Sequence, residues 1–227
     1  MDKSLRLNKF LAEQLGISRR EADNLIAANK VRVNGTVALL GARINENDQV
    51  LCNERPVRHE VKYIYLGLNK PVGYVCSRKR QGDTPTVYEL LPVKYQKLKT
   101  VGRLDKDSSG IILLTNDGDF AFQMTHPKFS KTKLYEVTLN QPLAPLHQQE
   151  IADFGIEIGD GVSRMGLTKL SDDRKKWLVT LHEGRNRQIR RTFGALGYTV
   201  TRLHRTQFGP YQLSGLEVGK HVEVRKV

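Results

Sequence analysis

The sequence predicts an α+β protein with a small N-terminal domain and a larger C-terminal domain built around a mainly antiparallel sheet. Helical periodicity and one hairpin signal occupy the first 40 residues, whereas short β-like runs interrupted by helical segments dominate the rest. The length of 227 residues suits two unequal domains, each with its own core. A polar stretch, 53–60, precedes an apolar run that starts at Val61, so we place the domains at 1–58 and 59–227.

The N-terminal domain is predicted to contain two helices followed by a β-hairpin. Residues 7–11 have apolar side chains at the i, i+3, i+4 spacing of one helix face. Residues 18–21, Ser-Arg-Arg-Glu, form a capping box that begins the second helix. The Asn-Gly pair within 31–37 stands between alternating apolar residues, which is typical of a two-residue hairpin turn.

The C-terminal domain is predicted to alternate strands with helices. The β-like runs lie at 63–68, 111–114, 134–139, 177–181 and 221–224. The helical segments lie at 119–124, 145–153 and about 187–196, the last with Asn186 as its N-cap. This order favours helices packed on an antiparallel sheet over a regular alternation of parallel strands and helices.

The third helical segment has an apolar face and a basic face. Arg187, Arg190 and Arg191 follow i, i+3, i+4 spacing and therefore share one side of the helix. Within four positions of these arginines only Glu183 is acidic, so we expect little pairing within this segment itself. The pattern indicates either a face directed at a ligand or a solvated basic surface.

The charge of the chain indicates a polyanionic partner. Lys and Arg total 37 against 24 Asp and Glu, which gives a net charge of +13. The segment from Arg174 to Val227 has 12 basic and 3 acidic residues and holds most of the excess. An anionic membrane would also suit this charge, but no apolar stretch approaches the roughly 20 residues that a membrane span needs.

The sequence also sets expectations for the cellular compartment of the protein and for cofactors. No apolar segment with a cleavage site follows the start of the sequence, so we expect a cytoplasmic protein. Cys52 and Cys76 lack C-x-x-C spacing and fit a reducing compartment. The six His residues form no cluster with metal-ligand spacing, so no metal site is expected.

Two carboxylates stand out as candidates for chemistry. Asp105 and Asp107 lie in the glycine-bounded segment 102–110, which leads into an apolar strand. A carboxylate at the entrance of a strand is well placed to react, although a polar turn with local backbone hydrogen bonds would have the same composition. Two carboxylates two residues apart do not establish the acid and nucleophile of a glycosidase.

The motifs around these carboxylates resemble the catalytic domain of the RsuA-type RNA pseudouridine synthases. The matching segments are Gly102-Arg-Leu-Asp105 with Asp107-Ser-Ser-Gly110, Leu114 to Asp119, Leu68 to Gly73, Lys133 to Val137, and Glu183 to Arg191. Residues 6–48 resemble an S4-type RNA-binding domain, notably in Ser-Arg-Arg-Glu-Ala-Asp and Val-Arg-Val-Asn-Gly. Together these segments span nearly the whole chain.

The resemblance implies a fold, a reaction and a set of catalytic residues. The large domain would have a long mixed sheet with the active cleft across its middle. Asp105 would be the nucleophile that detaches uracil N1 from the ribose before the base rejoins through C5, and no metal, nucleotide or redox cofactor would take part. Tyr135 would stack on uracil near C5. Arg190 would pair with Asp105, with Arg187 as the second choice.

The resemblance also implies RNA contacts. A stacked uridine must be flipped out before it can react, and Arg103 is the expected residue to fill the gap, with a surface ion pair as the alternative. In the small domain, guanidinium groups at a helix start and on the hairpin would bind phosphates. The full set of predicted RNA-binding residues is Arg103, Arg19, Arg20, Arg32, Lys70, Arg185, Arg187 and Arg191. For Lys70, a structural role shared with Pro71 is the alternative.

The expected substrate is ribosomal RNA or a ribosome-assembly intermediate. Large-subunit RNA is the first choice and small-subunit RNA the second, a transfer RNA is a further option, and we expect a monomer. One alternative is a non-catalytic RNA-binding or ribosome-assembly protein, because S4-type domains also occur without this chemistry. A DNA-binding or membrane-surface protein is the other alternative, and it explains the charge but not the ordered motifs.

Overall fold

The computed structural model describes residues 4–57 and 62–227, which form two compact units. The first unit comprises Met1–Ile64 and Asn116–Gly118, and the second comprises Tyr65–Thr115 and Asp119–Val227, each as far as it is described. The boundary predicted between residues 58 and 59 lies outside the described residues and stays a prediction. In the two described ranges, no helix has both the length and the apolar character that crossing a membrane requires.

The first unit contains the predicted pair of helices and the predicted hairpin. Its elements are β1 (Leu5–Arg6), α1 (Leu7–Leu15), α2 (Arg19–Ala27), β2 (Val31–Val33), β3 (Thr36–Val37), β4 (Arg43–Ile44), β5 (Val50–Cys52) and β6 (Arg55–Pro56). Ser18 and Glu21 exchange both hydrogen bonds of the capping box at the start of α2. Asn34 and Gly35 connect β2 to β3 with φ angles of 51° and 82°, as a tight hairpin turn requires.

The second unit combines a large sheet with helices, as an α+β fold should. Its elements are β7 (Tyr65–Lys70), β8 (Lys99–Val101), β9 (Ser109–Thr115), α3 (Gly118–Thr125), β10 (Lys133–Leu139), α4 (Pro145–Gln149), β11 (Ile156–Glu157), β12 (Val162–Ser163), β13 (Gly166–Lys169), β14 (Lys176–Leu181), α5 (Gln188–Ala195), β15 (Val200–Phe208), β16 (Tyr211–Gln212) and β17 (His221–Glu223). Short 3-10 turns lie at Val87–Leu90, Val93–Tyr95 and Pro127–Phe129, and a π-helical turn lies at Glu150–Phe154. Every predicted β-like run and helical segment contributes to one of these elements.

The large sheet is mixed and has its parallel pair at the centre. Within the described residues its strands follow the order β13, β14, β10, β15, β9, β7, β17, with β16 beside β15 and β8 beside β9. Strands β9 and β15 are parallel, whereas the other pairs of named strands in this sheet are antiparallel. The expectation of a mixed, mainly antiparallel sheet is therefore confirmed.

Strand β15 is the main element that the sequence did not predict. It is nine residues long and lies in the middle of the sheet, between β10 and β9. The pairing of β10 with β15 shifts register at two places, next to Tyr135 and next to Leu139. Such irregularities interrupt the alternation of buried and exposed side chains, and the several basic residues in 200–208 further hide the pattern.

The start of α5 also differs from its prediction. The helix begins at Gln188, and the preceding Arg187 has a left-handed backbone (φ 46°, ψ 32°) without a side-chain cap. Asn186 is therefore not the N-cap, and the prediction was wrong. Arg187 stands outside the helix proper, so its side chain does not follow the helical spacing that relates Arg190 to Arg191.

Gly110 allows the two central strands to approach each other. It has a φ of +107°, and a Cβ atom placed there would lie 2.1 Å from the carbonyl oxygen of Arg205. The parallel pairing of Gly110 with Arg205 places the two backbones side by side at this point. A residue with a side chain cannot occupy position 110 unless one strand moves.

We predict that Gly110→Ala lowers the free energy of unfolding by about 2–5 kcal/mol, because left-handed backbone strain and overpacking add together. Gly159→Ala is the matched control, since Gly159 has a φ of +86° and no atom within 4 Å of the added Cβ. The control should lose only about 1–2 kcal/mol from backbone strain. Urea unfolding of the two variants measures the difference, and equal losses would show that the strands tolerate the extra atom.

Candidate active site

Asp105 lies in the loop between β8 and β9, and its carboxylate is open to two neighbouring pockets. The side chain is 35% exposed. One pocket has a volume of about 340 Å³ and the other about 720 Å³. The residues that line both are Arg103, Leu104, Asp105, Asn186 and Arg187. The predicted nucleophile thus stands where the two pockets meet, accessible from either side.

The backbone of this loop is held by hydrogen bonds to four consecutive carbonyl oxygens. The carbonyls of residues 105, 106, 107 and 108 accept, in that order, from the Ser108 amide at 3.1 Å, the Gly73 amide at 2.7 Å, Arg190 Nη2 at 2.9 Å and Lys70 Nζ at 2.6 Å. These donors come from the loop itself, from the segment after β7, from α5 and from the end of β7. A loop fixed from so many directions can hold a reactive side chain in one orientation.

Lys70 is an internal residue rather than an RNA contact. Its side chain is fully buried at the end of β7, and Nζ donates to the carbonyls of Pro71 at 2.9 Å and Ser108 at 2.6 Å. Burial lowers the pKa of Lys70 to about 8, although the nearby Cys76, Asp105 and Asp107 oppose the shift. The prediction that Lys70 reaches RNA is wrong, because its ammonium group is used inside the protein to hold the Asp105 loop.

The two arginines next to the loop pair differently from the prediction. Arg187 contacts both carboxylates: Nη1 lies 3.5 Å from Asp105 Oδ2, and Nη1 and Nη2 each lie 3.2 Å from an oxygen of Asp107. Arg190 pairs with Asp107 through Nε at 3.2 Å, while its Nη1 donates to the carbonyl of Val200 at 2.8 Å. The predicted pairing of Arg190 with Asp105 is wrong, because this bond to β15 and the bond to the Asp107 carbonyl direct Arg190 to the far end of the loop. Arg187, the second choice, makes the contact.

Asp107 is the more strongly paired of the two carboxylates. Burial alone would raise its pKa, but the hydrogen bond from Arg187 and the charges of Arg190 and Arg187 hold the pKa below its ordinary value. The same contacts raise the pKa of Arg187. Asp107 therefore stays ionised as the partner of both arginines, whereas Asp105 has the single longer contact with Arg187.

The basic face around α5 has partners that its own segment does not supply. Arg185 pairs with Asp160 at 3.2 Å and with Glu183 at 3.0 Å, and Arg191 pairs with Asp160 at 2.8 Å. The expectation of little pairing within the segment is confirmed for Arg187, Arg190 and Arg191, because their carboxylate partners Asp107 and Asp160 are close only in the folded chain. Arg185 and Arg191 connect the start of α5 to the turn that carries Asp160, and RNA contacts by either residue stay a prediction.

Tyr135 and Arg205 lie side by side at the floor of the smaller pocket. Tyr135 is buried on β10 and pairs in register with Arg205 on β15. Arg205 Nε donates to the carbonyl of Ile111 at 2.9 Å, and Nη1 lies 3.5 Å from Tyr135 Oη. The Arg205 guanidinium also lies 4.7 Å from the centre of the Phe208 ring. Sequence analysis did not find Arg205. The available signal was its position between the apolar residues Leu203 and Phe208.

The remaining predicted RNA-binding residues are at the surface. Arg103 is exposed beside Asp105 and lines both pockets. In the first unit, Arg19, Arg20 and Arg32 are also accessible. Arg19 donates to Asn8, whereas Arg32 contacts Glu54 and the Gly35 carbonyl. Each keeps an exposed guanidinium group, as a phosphate contact requires.

Comparison with known proteins identifies the family. The sequence model of the RNA pseudouridylate synthase family matches residues 64–195, which is more than half of the chain. The chain belongs to this family. The S4 domain model matches residues 5–50 of the synthase, in agreement with the predicted N-terminal RNA-binding domain.

Several relatives match the synthase over most of their length. It is 37% identical over 220 residues to the ribosomal large subunit pseudouridine synthase B of Bacillus subtilis (strain 168), covering 94% of this chain and 89% of that protein. It is 36% identical over 211 residues to the ribosomal small subunit pseudouridine synthase A of Pasteurella multocida (strain Pm70), covering 92% and 90%. A crystal structure of a pseudouridylate synthase superposes with a TM-score of 0.69 at 33% identity, covering 97% of this chain and 96% of that one.

These matches confirm the predicted family, fold class and enzyme type. They favour a pseudouridine synthase over the alternative of a non-catalytic RNA-binding or ribosome-assembly protein, because the catalytic domain model covers the Asp105 loop, Tyr135 and all of α5. They equally favour it over a DNA-binding or membrane-surface protein.

We predict a pH-dependent contribution of Lys70 to the stability of the synthase. Its folded pKa of about 8 lies below its unfolded value of 10.5, so the unfolded chain binds more protons between these values and stability rises with pH there. The free energy of unfolding of the wild type relative to Lys70→Met should rise by roughly 3 kcal/mol between pH 8 and 10.5 and stay level below pH 8. Urea unfolding across pH 7–11 gives this difference.

The control is Lys97→Met, which removes an exposed ammonium group. The difference between wild type and this variant should stay level over the same range. A level difference for Lys70→Met as well would show that the Lys70 ammonium is not held in its buried position.

Proposed function

We propose that this synthase converts uridine to pseudouridine in ribosomal RNA, with Asp105 as the nucleophile. The observation that carries the proposal is the position of Asp105. Its carboxylate stands between two pockets, on a loop whose carbonyls at residues 105–108 are hydrogen-bonded. The smaller pocket, at about 340 Å³, is of the size that small polar ligands occupy. Family membership supports the reaction, and the names of the relatives support the substrate.

The pocket suits a flipped-out uridine. Flipping costs a few kcal/mol because the uridine loses its stacking in the RNA, and contacts between the flipped uridine and the protein must offset this cost. Tyr135 supplies an aromatic ring and a phenol at the pocket floor, next to where we place C5 of the base. Arg187 Nη1 lies 3.5 Å from Asp105 Oδ2 and so places a positive charge beside the proposed nucleophile.

The charge of the pocket favours RNA as the ligand. Arg103, Lys133, Arg185, Arg187 and Arg205 line the smaller pocket, whereas Asp105 is its one carboxylate among the described residues. Such an excess of cations attracts a polyanion and stabilises phosphates near the flipped nucleotide. We assign Arg103, the exposed residue beside the nucleophile, to the gap that the flipped base leaves.

The S4 domain and the surface of α5 extend this interface. We propose that Arg19, Arg20 and Arg32 bind phosphates and position the RNA without reading much of its sequence. The side chains of Arg185 and Arg191 are 21% and 32% exposed against 45% for Arg187, so their share in RNA binding is expected to be smaller than that of Arg187. We further propose that residues 1–58 and 59–227 are separate domains and that the synthase acts in the cytoplasm as a monomer.

The proposal extends to the ribosomal subunit whose RNA is modified. We infer large-subunit RNA as the first candidate and small-subunit RNA as the second; relatives named for each subunit match at 37% and 36% identity. Pseudouridine mapping in the ribosomal RNA of cells with and without the gene decides between them. One site missing from either RNA identifies the substrate, and unchanged maps would contradict a ribosomal target.

We predict that Asp105→Asn abolishes catalysis and leaves RNA binding intact. The amide keeps the shape of the side chain but lacks the charge and nucleophilicity of the carboxylate, so the single-turnover rate should fall by about 10⁴-fold or more. RNA affinity depends on many phosphate contacts and should be unchanged or slightly tighter. The assay is tritium release from ribosomal RNA that carries 5-tritiated uridine and comes from cells lacking the gene, with a binding curve measured in parallel.

Asp107→Asn makes the same chemical change two residues away. It weakens the pairing of Arg187 and Arg190 but leaves the carbonyl hydrogen bonds of the loop in place, so substantial turnover should remain. Near-normal release by the Asp105 variant would refute the mechanism. Loss confined to the Asp107 variant would mean that Asp107 is the nucleophile.

We predict that the fragment 59–227 folds and binds RNA more weakly than the whole chain. The first unit has its own core, which includes Leu7, Phe10, Leu11 and Ile26, so its removal need not open the core of the second unit. Thermal unfolding and RNA affinity of the fragment and the whole chain test this. An unfolded fragment would contradict the domain division, and an unchanged affinity would contradict the role of the S4 domain.

A further inference from the structure

Arg205 is a buried cation whose charge has no carboxylate partner in the described part of the chain. It is 3% exposed, in the middle of the sheet. Its contacts are the Ile111 carbonyl through Nε, Tyr135 Oη at 3.5 Å from Nη1, and the Phe208 ring. Among the described residues Nη2 is buried and has no hydrogen-bond partner. An unpaired buried cation costs several kcal/mol, so its presence calls for an explanation beyond packing.

Arg205 shares the smaller pocket with Asp105 and Tyr135. All three residues line it. The bond from Nε to Ile111 and the Phe208 ring under the guanidinium fix the plane of the group. Lys133 also lines this pocket, but it is only partly buried, and its Nζ donates to the Glu183 carbonyl at 3.1 Å. Arg205 is therefore the most deeply buried cation of the pocket, and among the described residues its Nη2 has no protein acceptor.

The proposed reaction develops negative charge on uracil O4 by either route. If a carboxylate oxygen of Asp105 bonds to ribose C1′, the C1′–N1 bond breaks and its electron pair stays on the base, delocalised over N1, O2 and O4. If the oxygen instead bonds to C6, the electron pair of the C5–C6 double bond moves to O4. In both routes the C1′–N1 bond is broken before C5 bonds to C1′. The bond between Asp105 and the substrate then breaks and releases the carboxylate, C5 loses its proton and N1 gains one.

We propose that Arg205 is a catalytic residue whose guanidinium group donates to uracil O4 and stabilises this negative charge. The inference rests on the proposed function and adds a residue to it. A donor fixed in a buried pocket is most effective where charge develops during the reaction, and removal of one such donor typically costs about 10²–10³ in rate. A purely structural arginine would instead be expected to saturate its donors with protein acceptors.

The catalytic and structural roles predict opposite effects on stability. Arg205→Met fills a similar volume and removes an unpaired buried charge, so stability should be kept or increased while the rate falls. Loss of a structural arginine would lower both. The informative comparison is therefore between the thermal unfolding midpoint and the single-turnover rate of the same variant.

The test compares Arg205→Met and Arg205→Lys with Arg202→Met, which makes the matched change at an exposed position of the same strand. Tritium release from the 5-tritiated ribosomal RNA described above is measured with saturating protein, beside RNA affinity and thermal unfolding. We expect Arg205→Met to be slower by about 10²–10³-fold, with an unfolding midpoint no lower than that of the wild type and similar RNA affinity. Arg205→Lys should fold and be at least about tenfold slower, because one ammonium cannot serve both Ile111 and O4. Arg202→Met should match the wild type.

The inference is overturned if Arg205→Met keeps a rate within about tenfold of the wild type. It is equally overturned if Arg205→Met unfolds while a folded Arg205→Lys reacts at the wild-type rate, since Arg205 would then be structural. These outcomes differ from failure of the proposed function, which would appear as no tritium release by the wild type or as normal release by Asp105→Asn. Either of those results would remove the basis of this inference as well.

Discussion

The hydrogen bond from the buried Lys70 ammonium to the Ser108 carbonyl is the interaction on which the site depends. A loop that exposes a reactive carboxylate cannot be fixed by burying that side chain, so its backbone must be held instead. Lys70 does this at the end of the loop, where Ser108 leads into β9. The Lys70 side chain is fully buried, and burial lowers its pKa to about 8, so holding the loop in this way places a costly charge inside the protein. The Gly73 amide and Arg190 complete the attachment from two other directions.

Asp105 and Asp107 have different contacts with the neighbouring arginines, and their proposed roles differ accordingly. Asp107 takes the two-pronged contact with Arg187 and the ion pair with Arg190, and its pKa is lowered as a result. Asp105 retains one contact with Arg187 at 3.5 Å and remains 35% exposed. A carboxylate fully engaged by guanidinium groups has few lone pairs left for attack. Because Asp107 occupies both arginines, Asp105 can remain accessible as the proposed nucleophile while still lying in a positive field.

The sequence predicted what local chemistry determines and missed what distant contacts determine. The capping box at 18–21 and the turn at Asn34–Gly35 depend on neighbouring residues, and both are present as predicted. The positions of Lys70, Arg190 and Arg205 depend on strand order and on partners far along the chain. Their long side chains can turn inward or outward from the same backbone, so the basic residue type alone favours neither burial nor RNA contact. The family resemblance identified the segments that contain the candidate site. It did not predict which residue each charged side chain pairs with.

The candidate site exists because of register across three adjacent strands. Tyr135 on β10 pairs with Arg205 on β15, and Arg205 pairs with Gly110 on β9, directly after the Asp105 loop. The register of this parallel pair places Ser109 and Gly110, at the start of β9, beside His204 and Arg205 in the middle of β15. A slip of one residue in either pairing would turn Arg205 to the opposite face of the sheet and empty the pocket floor. Gly110 prevents this slip, because no other residue type allows the Arg205 carbonyl so close to its backbone. The same glycine that joins the two halves of the sheet therefore sets the distance between the proposed nucleophile and the charge at the pocket floor.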